Sequence, residues 1–70
     1  MKTLLKRYDL TEVNEYYQLI ADSFINGQRK QAIEQFKAMP KADRVYLCID
    51  SNGIDIGMSR EDVNVLIGEV

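Results

Sequence analysis

The feature that most limits the fold of this chain is an apolar residue at every third or fourth position, followed by an Asn-Gly pair. The recurring apolar residues are Leu10, Val13, Tyr16, Tyr17, Ile20 and Phe24. This spacing places them on one face of an α-helix, and Asp9 with Glu12 three residues later fits a capping box. Asn26 and Gly27 readily adopt the left-handed conformation that ends a helix. We therefore predict a helix over residues 10 to 25.

A second amphipathic segment follows at once and predicts a helical hairpin. Its apolar positions are Ala32, Ile33, Phe36 and Met39. Pro40 cannot continue the hydrogen-bond ladder of a helix, so the second predicted helix covers residues 28 to 39. Because only a short connection around Gly27 joins the two helices, they are expected to pack antiparallel.

Several positions of this hairpin form a pattern with a known counterpart. They are Tyr16, Leu19, Ile20, Gly27, Ala32, Phe36 and Met39. With these residues, the segment from 16 to 39 resembles one pentatricopeptide-type repeat, a relative of the tetratricopeptide hairpin. The resemblance implies two helices that approach closely at the small Ala32. Tyr17 occupies the position where that family carries a small, base-reading polar residue, so the resemblance extends to the hairpin and not to RNA reading.

The segment after Pro40 admits two structures. Helical spacing relates Ala42, Val45, Tyr46 and Ile49. In a third helix these residues would face the core, and Asn52 with Gly53 would cap its end. The alternative is a small β-hairpin over residues 44 to 58, because strand-forming residues flank an Asn-Gly turn signal. We favour the helix, since an isolated two-stranded hairpin is only marginally stable.

The end of the chain predicts one more helix, over residues 60 to 69. Ser59 is a suitable N-cap and Asp62 completes its capping box. The apolar stripe that follows consists of Val63, Leu66, Ile67 and Val70. In the preceding linker, residues 54 to 58, the apolar side chains expected to enter the core are Ile54, Ile56 and Met58. Residues 1 to 8 are compatible with a short strand, a frayed turn or an arm.

Together these segments predict an all-α fold, a small bundle of four short helices that begins with an antiparallel hairpin. The 70 residues are expected to form one domain. The alternative fold is α+β, with the β-hairpin described above.

The composition excludes several kinds of chemistry. The chain has no histidine and a single cysteine, Cys48, so it can form neither an intramolecular disulfide nor a Cys-His or Ser-His nucleophile pair. A structural zinc site normally needs four Cys or His ligands. We therefore expect no metal, no cofactor, no small-molecule ligand and no enzyme activity. The lone thiol and the short apolar runs predict a cytoplasmic protein without a membrane span.

Charge is divided unevenly along the chain. Residues 1 to 42 carry seven Lys and Arg against five Asp and Glu, a net charge of +2. Residues 43 to 70 carry two against six, a net charge of −4. The two parts are expected to attract each other, within one chain or between two chains.

Two groups of side chains are candidates for binding a partner. The first is aromatic, because Tyr16 and Tyr17 are neighbours and one of them should point away from the core, beside Phe24. The second is a basic strip on the second helix and its exit, made of Arg29, Lys30, Lys37 and Lys41. We expect a non-catalytic protein-interaction module that binds another protein or itself. The alternative is a nucleic-acid-binding accessory or regulatory protein that uses the basic strip.

Overall fold

The computed structural model describes all 70 residues and contains six α-helices and no strand. The helices are α1 (Lys2–Arg7), α2 (Val13–Ile25), α3 (Arg29–Lys37), α4 (Lys41–Cys48), α5 (Asn52–Asp55) and α6 (Arg60–Ile67). The prediction of an all-α fold is confirmed, with two more helices than expected. The β-hairpin alternative over residues 44 to 58 is wrong, because that stretch forms most of α4 and all of α5. None of the helices is long and apolar enough to cross a membrane.

The predicted hairpin is present as α2 and α3. Gly27 makes the turn between them at φ +76°, a left-handed conformation that residues with a side chain rarely adopt. Ala32 is fully buried where the two helices meet. One residue of α3 receives two hydrogen bonds from α2. The hydroxyl of Tyr16 donates to the main-chain carbonyl of Gln35 at 2.7 Å, and the hydroxyl of Ser23 donates to the Gln35 side-chain oxygen at 2.8 Å.

The start of α2 differs from the prediction. Asp9 is not the N-cap, because it adopts a left-handed φ of 58° just after the end of α1. The cap is Glu12, and its capping-box partner is Glu15, whose carboxylate accepts the Glu12 main-chain N–H at 2.8 Å. Hydrogen bonds from the side chain of Thr11 and from the Glu12 N–H hold the pKa of Glu15 below its usual value.

Residues 1 to 8 were expected to be a strand, a frayed turn or an arm, and this expectation is wrong. They form the short helix α1, which buries Leu4 and Leu5 in the core. An Asp-centred turn then directs the chain into α2. The main-chain N–H of Leu10 donates to the carbonyl of Leu5 at 2.8 Å and closes the end of α1.

Asn52 and Gly53 do not end α4 as predicted, since that helix ends at Cys48 and both residues lie in α5. Asn52 nevertheless caps a carbonyl near the end of α4, because its side-chain amide donates a hydrogen bond to the Tyr46 carbonyl at 2.7 Å. Gly53 is buried, and a Cβ atom there would lie 2.7 Å from the Met58 methyl carbon. Glycine is therefore used at this position for a close approach of α5 to the core.

The last helix, α6, begins as predicted. The Ser59 hydroxyl accepts the Asp62 N–H at 3.1 Å, and the Asp62 carboxylate accepts the Ser59 N–H at 3.3 Å. Of the linker residues expected in the core, Met58 is buried and Ile56 is half-buried against it. The expectation for Ile54 is wrong, because this side chain is exposed.

The orientation of α4 is the largest departure from the prediction. Its buried residue is Leu47, which is 1% exposed. The stripe predicted to face the core, Ala42, Val45, Tyr46 and Ile49, is exposed instead. Asp43 and Arg44 lie one helical turn before Leu47, and each forms a hydrogen bond within the fold. Asp43 accepts a hydrogen bond from the Tyr17 hydroxyl at 2.8 Å, and Arg44 Nη1 donates to the Met39 carbonyl at 2.7 Å.

Candidate functional site

An open apolar groove lies between α4 and the end of the chain. Five hydrophobic side chains line it: Val45, Cys48, Ile49, Ile67 and Val70. Its volume is about 420 Å³. Ile67 is 52% exposed and Ile49 is 45% exposed, so the groove presents aliphatic surface directly to solvent. We call these five residues the apolar groove.

The groove exists because both helices carry apolar residues on more than one face. In α6, Val63 and Leu66 enter the core, and Ile67 lies beside them on the solvent side. In α4, Leu47 enters the core, while Val45 and Ile49 lie on the opposite face. A helix of a monomeric globular protein usually keeps its outer face polar.

Tyr46 follows the groove residue Val45 in α4 and is also exposed. Its side chain is 47% exposed, and its ring stacks on the ring of Tyr17 with centroids 5.4 Å apart. Because Tyr17 is itself buried, this contact fixes the direction of the exposed Tyr46 ring. An aromatic side chain held in this way loses little conformational entropy when a partner covers it.

Cys48 lines the groove and is half-buried. Burial raises the pKa of its thiol above the usual value. Thiolate is the reactive form of cysteine, so this shift makes the side chain less nucleophilic. Cys48 therefore contributes apolar surface rather than reactivity.

The aromatic candidates occupy a different place from the one predicted. Tyr16, Tyr17 and Phe24 are all buried, so the expectation that one of the two neighbouring tyrosines points away from the core is wrong. Each tyrosine hydroxyl has a partner inside the fold, namely the carbonyl of Gln35 for Tyr16 and the carboxylate of Asp43 for Tyr17. Such partners allow two adjacent helix positions to be buried together.

Of the basic strip, two members form ion pairs with the acidic end of the chain. Arg29 lies 3.6 Å from the carboxylate of Glu61, and Lys37 lies 3.6 Å from that of Glu69. The predicted attraction between the basic and acidic parts is thus confirmed within one chain. These contacts partly neutralise the strip.

The basic strip also borders a second, wider groove of about 570 Å³. Its lining residues are Arg29, Lys30, Ile33, Glu34, Lys37 and Glu69. Two carboxylates, Glu34 and Glu69, lie among its three cations, so the groove offers only a weak field to an anionic ligand. Lys41, the remaining member of the strip, does not line it and lies at the start of α4.

The side chains that sequence reasoning missed are those of the apolar groove. Apolar spacing predicts Val45, Ile49, Ile67 and Val70 in the core, whereas all four are exposed. The spacing gave no signal of this exposure, because Val63, Leu66, Ile67 and Val70 follow the i, i+3, i+4, i+7 pattern of a single buried helix face. No protein-family model, curated protein or solved structure matches this chain.

Proposed function

We propose that this chain is a non-catalytic protein-interaction module and that the apolar groove is its docking surface. The observation that carries the proposal is a groove lined entirely by hydrophobic side chains and left open on the single chain. A contiguous apolar patch on a small protein commonly marks an interaction site. We also infer that the protein acts in the cytoplasm, on the ground of its lone thiol.

The energetics support docking through a few side chains. Full burial of an isoleucine contributes about 1.5–3 kcal/mol, so covering the exposed halves of Ile49 and Ile67 contributes roughly 1 kcal/mol each. The exposed Tyr46, the neighbour of Val45 in sequence, adds an aromatic side chain with a hydroxyl group at its tip, a type enriched at interfaces.

The alternative function, nucleic-acid binding through the basic strip, has less support. Arg29 and Lys37 already face carboxylates, and counterion release from a phosphate backbone depends on free cations. Lys30 and Lys41 remain, and they lie on different helices.

A capture experiment with three baits tests the proposed function. The baits are the wild-type chain, Ile67→Asp in the apolar groove, and Ile25→Asp as a matched control, since Ile25 is 64% exposed outside the groove. Each protein recovered from expressing cells is purified and titrated against all three baits by calorimetry. We expect a partner that binds the wild type and Ile25→Asp with equal affinity and Ile67→Asp at least tenfold more weakly (about 1.4 kcal/mol). The proposal is contradicted if neither another protein nor a second copy of the chain binds, or if both variants lose affinity equally.

A further inference from the structure

We propose that Asn26 is a modification site, at which the folded chain converts this asparagine to aspartate and isoaspartate without the help of an enzyme. The proposal rests on the contrast between the two Asn-Gly pairs of the chain, Asn26 with Gly27 and Asn52 with Gly53. In such a pair the main-chain nitrogen of the glycine can attack the side-chain amide, because glycine has no Cβ atom to obstruct the approach. The fold leaves the first pair accessible and protects the second.

The reaction consumes one water molecule and releases one ammonia molecule. Hydroxide takes the proton of the Gly27 main-chain N–H, and the nitrogen attacks the Asn26 Cγ atom. The new bond from nitrogen to Cγ closes a succinimide ring, while the bond from Cγ to Nδ2 breaks and ammonia leaves with a proton from water, which restores the hydroxide. Water then opens the ring at one of its two carbonyls. Opening at Cγ gives aspartate, and opening at the main-chain carbonyl gives isoaspartate, with no group oxidised or reduced.

Both reacting groups of the first pair are open to solvent. Asn26 is the exposed C-cap of α2. Its side-chain amide has no hydrogen-bond partner in the fold, and the nearest hydrogen-bonding side chain of α2, that of Ser23, is directed to Gln35. Gly27 is exposed as well, and a Cβ atom built on it would have no neighbour within 4 Å. Hydroxide and water therefore reach the amide carbon and the main-chain nitrogen directly.

The attack needs only a small opening of the helix end. The Gly27 nitrogen reaches the Cγ atom after rotation about the Cα–C bond of Asn26, whose ψ is 7° in the structure. This rotation breaks the hydrogen bond from the Gly27 N–H to the Phe24 carbonyl, at 3.0 Å. It also disturbs the bond from the Gln28 N–H to the Ser23 carbonyl, at 2.8 Å. Hydrogen bonds at a fraying helix end open with a low free energy, so the reactive geometry is visited often.

The second pair is protected by its packing. Asn52 is half-buried, and its side-chain amide donates to the Tyr46 carbonyl at 2.7 Å. Gly53 is buried, and its carbonyl accepts the Met58 N–H at 3.0 Å. A Cβ atom on Gly53 would lie 2.7 Å from the Met58 methyl carbon, so the core leaves this part of the main chain little room to move. Rotation at Asn52 therefore requires α5 to leave the core, an opening with a higher free energy.

Conversion changes the hairpin of α2 and α3 in two ways. Both products place a carboxylate at the end of α2, where the negative end of the helix dipole and the exposed Asp22 one turn earlier disfavour it. Isoaspartate also adds a main-chain carbon to the connection between the two helices. The longer connection disturbs the alignment favoured by the hydrogen bonds of Tyr16 and Ser23 to Gln35. The converted chain is therefore less stable and more negatively charged than the original.

Peptide mapping of the stored protein tests the proposal, because trypsin separates the two pairs. Cleavage after arginine releases Asn26 in the peptide 8–29 and Asn52 in the peptide 45–60. The folded chain is kept in mildly alkaline buffer made with heavy-oxygen water, and fragmentation of the first peptide distinguishes label at Asn26 from label at Asn14. We expect Asn26 to convert at least about tenfold faster than Asn52 in the folded chain. In concentrated urea the two rates should agree within about threefold, since neither pair is then held by the fold.

Matched variants identify the reacting residue. Asn26→Ser should abolish the fast conversion, whereas Asn64→Ser, at an exposed position followed by the bulky Val65, should leave it unchanged. Enzymatic methylation of the isoaspartate carboxyl group detects that product. The converted fraction, isolated by anion exchange, should unfold at a lower urea concentration than the unconverted chain.

Two outcomes overturn the proposal. The first is an equal rate of conversion at Asn26 and Asn52 in the folded chain, because the fold would then protect neither pair more than the other. The second is a folded chain in which Asn26 stays intact while the urea-unfolded chain converts. That result would show that the turn after α2 holds its geometry too firmly for the attack.

Discussion

The hydroxyl of Tyr17 donates a 2.8 Å hydrogen bond to Asp43 and thereby ties the middle of α2 to the first turn of α4. Tyr17 makes a second contact with α4, because its ring stacks on the exposed ring of Tyr46. One buried side chain thus contacts both Asp43 and Tyr46 of α4 and helps to set the orientation of that helix.

Replacing Tyr17 by phenylalanine is expected to destabilise the protein by about 1–2 kcal/mol, because the half-buried Asp43 carboxylate loses its hydrogen-bond donor. Tyr46→Phe is the matched control. No hydrogen bond of the Tyr46 hydroxyl contributes to the fold, so this change should shift the free energy of unfolding by less than about 0.5 kcal/mol. Urea unfolding of both variants measures the difference, and equal effects would contradict the role assigned to Tyr17.

Alkaline pH should unfold the protein through its two adjacent tyrosines. Burial raises the pKa of Tyr16 to about 12. Burial and the hydrogen bond to Asp43 raise the pKa of Tyr17 as well. In the unfolded chain both phenols ionise near pH 10.0. Their contribution to stability is therefore complete below pH 10 and is lost as the pH rises towards 12.

The measurement for this prediction is the urea midpoint as a function of pH, together with tyrosinate absorbance of the folded protein. We expect the midpoint to fall steadily above pH 10. Tyr17→Phe removes one of the two phenols with a raised pKa and should reduce the slope. A midpoint independent of pH in this range would show that the buried phenols do not control stability.

Gly53→Ala tests the close approach of α5 to the core. The added methyl group would lie 2.7 Å from the Met58 methyl carbon and 2.9 Å from a Val63 methyl carbon, so both must shift. Overpacking of this kind costs about 1–3 kcal/mol. Gly68→Ala is the control, since its nearest contact is 3.4 Å away and the helical backbone accepts alanine. Thermal unfolding of both variants should show a loss for Gly53→Ala alone.

The two ion pairs between α3 and the end of the chain should contribute little to stability. Arg29 and Glu61 are both largely exposed, as is Lys37 opposite Glu69. We expect Glu61→Gln and Glu69→Gln each to lower the free energy of unfolding by less than about 1 kcal/mol, and less at high salt. A loss of several kcal/mol in either variant would show that these pairs hold α3 and α6 together.

The same two carboxylates bear on the nucleic-acid alternative. We expect the wild-type chain to show no salt-dependent binding to mixed DNA or RNA at low ionic strength, since Arg29 and Lys37 are paired. Fluorescence anisotropy across a salt titration measures this. Binding that weakens linearly with the logarithm of salt concentration would restore the alternative function.

The parts of the fold that could be predicted from sequence are those fixed by local chemistry. Ser59 and Asp62 form a capping box from their own spacing, and Gly27 turns the chain because it tolerates positive φ. The hairpin of α2 and α3 follows from these local signals and a long apolar stripe. Asp9 shows the limit of such signals. Its spacing to Glu12 predicts an N-cap of α2, but in the structure it forms the left-handed turn after α1.

The orientation of α4 could not be predicted because it depends on residues distant in sequence. Asp43 and Arg44 look like solvent-facing charges, and four apolar residues on the other side look like a core stripe. In the structure both charged residues turn inwards instead, because Asp43 bonds the hydroxyl of Tyr17 and Arg44 bonds the carbonyl of Met39. This orientation of α4 exposes Val45 and Ile49 in the apolar groove, whereas apolar periodicity alone predicts them in the core.

Gln35 limits how far α2 and α3 can slide along each other. It takes one hydrogen bond at its main chain and another at its side chain, from two residues that lie two helical turns apart on α2. A shift of α3 by a single residue would break both bonds and leave the buried Tyr16 hydroxyl without its partner, whereas the Ser23 hydroxyl would keep the Leu19 carbonyl of its own helix. These two bonds therefore favour a single axial alignment of the hairpin over its neighbours.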